Sequence, residues 1–131
     1  MVKYRSKFEG VFGEQFKHLE YEPCNIVYWS QHTYTPDFVT PSGKHWFELK
    51  GFFRNSGEAK KYVDVSKQLH FDKPDDYKHV PVLIFVFMDP NKKMPGAKRR
   101  KDGTIYRMRD WAEKNGFRWC TIDTVKDEWL V

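Results

Sequence analysis

Cysteine is scarce in this chain: its 131 residues include only Cys24 and Cys120. Two distant thiols without a secretion signal are expected to stay reduced, which argues against a disulfide scaffold. His18, His45, His70 and His79 stand at no zinc-like spacing to them, so no structural zinc is expected. Long apolar runs are missing as well. None approaches the roughly 20 residues that a membrane-spanning helix needs, which excludes that class of membrane protein. Residues 1–8 carry Lys3, Arg5 and Lys7 but no apolar segment. No signal peptide is visible, and the expected location is the cytoplasm, not the exterior. Internal repeats and low-complexity linkers are lacking too, which leaves one domain over residues 1–131. A chain of this length can bury a hydrophobic core without staples.

What is present is charge and aromatic surface. Hydrophobic residues make up 40% and charged residues 31%, a globular balance. The net charge of +5 favours a polyanionic partner, because lysine and arginine bind phosphates through counterion release. Aromatic residues reach 18%, and most fall in periodic apolar patterns that suit a core.

Residues 6–19 place Phe8, Val11, Phe12, Phe16 and Leu19 in a helical stripe with Ser6 as N-cap, weakened by Gly10 and Gly13. Residues 25–29 read as a short β-prone segment broken by Ser30 and Gln31. Residues 34–39 and 44–50 read as two strands joined across Thr40, Pro41, Ser42 and Gly43. Residues 55–69 read as a helix capped by Ser56, with Ala59, Tyr62, Val63, Ser66 and Leu69 on one face. A polar loop over 72–78 follows. Residues 80–87 are almost wholly apolar and predict a strand buried on both faces, with Pro81 at the start of its ladder. A positively charged loop over 89–103 leads to a helix over 104–115. Thr104 would cap that helix, Met108, Trp111 and Ala112 would face inward, and Asn115-Gly116 would stop it. A last strand over 117–122 and a terminal turn opened by Thr124 and Asp127 complete a mixed-sheet α/β domain.

The chemistry-bearing residues cluster on the hairpin. Strand side chains alternate, so Glu48 and Lys50 share a face of the second strand, and the turn brings Asp37 alongside Glu48. Two converging carboxylates repel each other, and a hard divalent cation resolves the conflict. Phosphodiester hydrolysis needs such a metal, an activated water and a cation like Lys50 to neutralise developing charge. By themselves, Pro36-Asp37 and Glu48-Leu49-Lys50 also suit an ordinary hairpin with solvated charges.

The longer string is more specific. His32-Thr-Tyr-Thr-Pro36-Asp37-Phe followed by Glu48-Leu49-Lys50-Gly51 closely resembles the corresponding stretch of the phage endonuclease I family. These are Holliday-junction resolvases of the PD-(D/E)xK nuclease superfamily. Tyr4-Arg5-Ser6-Lys7-Phe8-Glu9 looks like that family's segment leading to an N-terminal helical glutamate, and Lys60-Lys61 stand at its position after the second catalytic strand. Trp111 to Gly116 and Glu128-Trp129 look like its final helix and tail.

The resemblance implies a restriction-endonuclease-like mixed β-sheet core flanked by helices. It also implies metal ligation by Asp37, Glu48, Glu9 and the Leu49 carbonyl, with Lys50 as the catalytic lysine. The implied cofactor is Mg²⁺, with Mn²⁺ able to substitute. In that family the dimer exchanges N-terminal elements; here residues 1–31 would carry the exchanged helix, residues 25–31 the bridge, and residues 32–131 the catalytic core. Three departures bear on substrate choice. The Asp37 to Glu48 gap is one residue longer than in the family, so the turn must differ or carry a bulge. The Glu9 to His32 segment is shorter, and the family's basic tail has no counterpart before Val131.

Beyond the motif, Lys92, Lys93, Lys98, Arg99, Arg100 and Lys101 form the densest charge run and suit a flexible phosphate-gripping loop. Arg54, Lys60 and Lys61 are weaker phosphate candidates, and His32 suits a phosphate contact or a structural hydrogen bond. Trp46, Phe47, Phe52 and Phe53 are assigned to the core, not to base stacking. The expectation is a homodimeric, metal-dependent endonuclease cutting branched DNA, because two symmetric cuts suit a twofold dimer. The alternatives are a phage homing endonuclease acting on a specific duplex sequence and a non-catalytic DNA-binding domain. The chain leaves little room for a base-reading module.

Overall fold

The structure is a computed structural model that describes residues 2–28, 32–73 and 78–131. In chain order its elements are α1 (Lys7–Gln15), β1 (Glu20–Tyr21), β2 (Ile26–Tyr28), β3 (His32–Tyr34), β4 (Phe38–Val39), β5 (His45–Lys50), α2 (Ser56–Phe71), β6 (Val82–Phe87), α3 (Met108–Lys114) and β7 (Arg118–Cys120), followed by a 3₁₀ turn at Asp127–Trp129. The main sheet has five strands in the order β1-β4-β5-β6-β7. Its first two pairings are antiparallel and its last two parallel, so the sheet is mixed. β2 and β3 pair separately.

Alternation along the central strands builds two cores. Trp46, Leu83, Phe85 and Phe87 pack on one face with α2 and α3, while Phe47, Leu49, Ile84 and Val86 pack on the other with Phe12 of α1 and with Trp129. Helices therefore flank both faces. β6 is apolar throughout because both its faces are covered, and Pro81 sits just before it, where no ladder donor is needed. No described helix is long and apolar enough to cross a membrane.

Several local expectations shift. α1 stops at Gln15, short of residue 19, and Val11 is exposed. Gly13 faces inward instead and receives Tyr4; a Cβ there would collide with the Tyr4 ring and its hydroxyl. The single strand expected over 34–39 is two strands in different sheets, because Pro36 offers no N–H to continue a ladder. The two-residue β1 carries too short a pattern to be read from sequence. Asn55, not Ser56, caps α2, and Val65 replaces Val63 and Ser66 on its buried face. α3 begins at Met108 instead of 104. Asp110 accepts the Arg107 N–H at 2.9 Å, whereas Thr104 closes a turn with Asp102. Thr124 caps no terminal turn, since its hydroxyl accepts the Thr121 N–H at 2.8 Å. Of the strand expected over 25–29, residues 26–28 are present; Trp29, Ser30 and Gln31 lie outside the described residues, as do 74–77 of the loop over 72–78.

Candidate active site

The site begins with hairpin register. Phe38 pairs with Phe47 and Val39 with Trp46, and the Thr40 N–H donates to the His45 carbonyl at 3.1 Å. The ladder is regular and has no bulge, so the turn takes up the longer Asp37 to Glu48 gap. Extending the same register sets Asp37 opposite Glu48 and Pro36 opposite Leu49. Odd-numbered β5 residues direct their backbone groups toward β4, while Lys50 bonds to the β6 side, its carbonyl accepting the Met88 N–H at 3.0 Å. Asp37 and Glu48 are thus a non-hydrogen-bonded pair, the kind whose side chains approach more closely.

Proline has a specific effect at its position. It has no N–H to give the Leu49 carbonyl, so that oxygen is left facing the end of β4. The Leu49 N–H donates instead to Asp37 Oδ2 at 2.8 Å. This bond ties the Asp37 carboxyl to the β5 backbone.

Burial and the neighbouring Glu48 carboxylate push Asp37 up to about 10, although the Leu49 N–H opposes the shift. Glu9 also reaches the Asp37 carboxyl, from α1. Ser6 Oγ accepts the Glu9 N–H at 3.1 Å, while Glu9 Oε1 accepts from the Arg5 N–H at 3.1 Å and the Tyr21 hydroxyl at 2.6 Å. Glu48 is fixed by two tyrosines. Tyr34 donates to its Oε1 at 2.5 Å and Tyr62 to its Oε2 at 3.2 Å. Burial, with Glu48 nearby, raises both phenols well above their ordinary range, so they remain donors.

Lys50 lies under α2. Its Nζ is 3.0 Å from Glu58 Oε1 and 3.5 Å from Glu48 Oε2, and it sits over the Tyr62 ring. Burial would lower its pKa, but Glu48 and Glu58 more than offset this and hold it charged. Burial likewise works against the Glu58 carboxylate, and the Arg54 N–H together with Lys50 outweighs it.

The sequence candidates divide into two groups. Glu9, Asp37, Glu48, Leu49 and Lys50 line one cleft of about 960 Å³. His32, Arg54, Lys60 and Lys61 line the same cleft. Lys92, Lys93, Lys98, Arg99, Arg100 and Lys101 do not line it. Their segment is also more tied down than a flexible loop: Lys93 bridges to Arg107, Met94 is buried, and the Arg100 N–H donates to the Thr104 carbonyl at 2.7 Å. Trp46, Phe47 and Phe53 are core residues as expected, but Phe52 is 57% exposed. Tyr34, Tyr62 and Glu58 also line the cleft, although the sequence gives none of them a role in the site. For Glu58 a signal existed, since Asn55 followed three residues later by Glu is a capping pattern.

The donor set fits a hard divalent cation. Two carboxylates, a backbone carbonyl and a third carboxylate nearby are all oxygen donors, and Mg²⁺ is usually held by one or two carboxylates plus waters. The crowding that keeps a proton on Asp37 is the conflict such a cation relieves. Among the described residues no group of three or more His, Cys, Asp or Glu side chains forms a ready-made metal cage. No protein-family model matches the chain, and no curated protein matches its sequence.

Proposed function

We propose that this protein is a divalent-metal-dependent DNA endonuclease of the PD-(D/E)xK type, acting as a homodimer on branched DNA in the manner of Holliday-junction resolvases. The observation that carries this reading is the register of the hairpin. It pairs Asp37 with Glu48, leaves the Leu49 carbonyl without a proline donor, and sets Lys50 on the Glu48 face. The mixed sheet with helices on both faces suits a restriction-endonuclease-like core, and the expected setting is the cytoplasm of a host cell.

Asp37, Glu48 and the Leu49 carbonyl would hold Mg²⁺ or Mn²⁺, with Glu9 completing the set. When bound, such an ion would supply Lewis-acid polarisation of the phosphate and a more acidic water for the attack. Lys50, held charged by Glu58, stabilises negative charge developing on the phosphate or orients the attacking water. Tyr34 and Tyr62 fix the Glu48 carboxylate so that it does not have to reorganise. Lys60, Lys61, Arg54 and His32 grip phosphates along the cleft. All these residues line one cleft within a single chain. An exchange of N-terminal helices in the dimer would supply Glu9 from the partner in the same place.

The test is cleavage of a synthetic four-way junction against linear duplexes of the same sequences, with Mg²⁺ present. Paired, symmetric cuts in the junction with little duplex cutting support the reading. Cutting of one duplex sequence irrespective of branching replaces it with a homing-type endonuclease. Absence of cutting on both removes the enzymatic reading.

A further inference from the structure

Two exposed apolar side chains stand just beyond the β5 end of the site. Phe52, two residues beyond Lys50, is 57% exposed, and Met88 is 61% exposed. Met88, just past β6, adjoins the end of β5 immediately before Phe52. The Met88 N–H donates to the Lys50 carbonyl at 3.0 Å, and the Met88 methyl lies 3.9 Å from where a Cβ on Gly51 would stand. Lys92 Nζ sits 5.9 Å from the centre of the Phe52 ring. The adjoining residue Phe53 turns inward against Phe85 and Trp111, so the core had an inward place for an aromatic here and took only one of the two.

We infer that Phe52, with Lys92 beside its ring and Met88 next to the adjoining Gly51, is a stacking platform for an unpaired nucleobase of the DNA being cut. The inference rests on the nuclease reading of the adjoining site. Three observations favour a base as the occupant. The platform adjoins the cleft along the chain, since Lys50 and Arg54, two residues before and after Phe52, both line it. Lys92 lies at the Phe52 ring, and Arg54 and Lys93 adjoin in sequence, outnumbering the exposed Asp89 beside Met88, a balance that suits a phosphate chain and not an apolar protein face. A single exposed ring with a cation near it matches sequence-tolerant base stacking, in which the ring takes the face of any base and the cation adds to the attraction. In a fully paired duplex every base face is already stacked. The platform therefore gains only on substrates that present an unstacked base next to the cut, such as a branch, flap or bulge.

The experiment is binding, in Ca²⁺ to suppress cutting, of fluorescent DNA duplexes of one sequence, either fully paired or carrying one unpaired base. Wild-type protein should prefer the unpaired-base duplex. Phe52→Ala should weaken binding of that DNA about tenfold while changing the paired duplex by less than about twofold, and Phe52→Trp should restore the preference. The salt dependence of binding should not change, because no phosphate contact is removed. An equal loss on both DNAs, no loss on either, or a change of self-association in sedimentation with the preference intact each overturns the platform. Wild type that binds neither these duplexes nor a four-way junction in Ca²⁺ overturns the nuclease reading as well; binding by the wild type with no dependence on Phe52 overturns only the platform.

Discussion

The N-termini of α1 and α2 are built alike and used differently. In each, a cap side chain takes the N–H of a glutamate three residues on: Ser6 that of Glu9 at 3.1 Å, Asn55 that of Glu58 at 2.8 Å. In each, the glutamate carboxylate accepts the N–H of the arginine before the cap, Arg5 at 3.1 Å in α1 and Arg54 at 3.1 Å in α2. Each glutamate keeps an oxygen that can reach the cleft. Glu9 meets Asp37, a carboxyl, and adds to an already crowded acidic corner. Glu58 meets Lys50, and each holds the other charged. Identical capping chemistry thus yields a metal-ligand candidate in one helix and a positioning residue in the other. The neighbour decides the role, and the cap only fixes where the carboxylate stands.

This contrast can be broken by experiment, and the largest effect is expected at α1. Glu9→Ala should lower Mg²⁺-dependent cleavage about 10- to 100-fold, with activity partly recovered at higher metal concentration, because a group around the ion is lost. An unchanged metal requirement would place Glu9 among ordinary caps. Glu58→Gln should have a smaller effect, about tenfold on the single-turnover rate and none on metal affinity. It also removes one of the charges that raise the Lys50 pKa, so the alkaline limb of the pH–rate profile should move to lower pH. A lowered metal affinity with an unmoved limb would reverse the roles assigned to the two glutamates.

The acidic corner makes a separate demand on the metal-free protein. Burial and the neighbouring Glu48 carboxylate raise the Asp37 pKa in the folded state well above that of an unfolded aspartate, near 4. Between the two pKa values the native state binds one more proton than the unfolded chain, so its stability should fall as pH rises. Denaturant titrations across that window should show the decline, and saturating Mg²⁺ should flatten it by taking the place of the proton. Stability that rises with pH in the metal-free protein would contradict the geometry. The smallest effect expected is one of equality. Ser6→Ala and Asn55→Ala should each cost about 1 kcal/mol of stability, since the two caps make the same bond.

The hairpin, the central strand and the buried stripe of α3 were legible because strong period-two or helical patterns marked them. The pairing of Asp37 with Glu48 was legible for the same reason, since alternation and a short turn leave little freedom. The part played by Pro36 opposite Leu49 was not, because it depends on a register that only the paired strands reveal. Tyr34 and Tyr62 read as core aromatics, and their rings are indeed packed in the core; only their hydroxyls reach Glu48. Glu58 carried a readable capping pattern, but nothing local pointed to Lys50, which lies eight residues earlier and reaches it across the β5–α2 turn. Phe52 and Phe53 are adjacent aromatics with opposite fates, which composition and periodicity do not distinguish.

The central claim is that Asp37 and Glu48 together hold the ion that makes this a nuclease. The most direct measurement compares single-turnover cleavage of a four-way junction by wild type, Asp37→Asn and Glu48→Gln in Mg²⁺, with junction binding in Ca²⁺ measured alongside. Wild type should cut, while both variants should lose about a thousandfold or more in rate and still bind the junction. Cleavage by either variant at the wild-type rate would contradict the account.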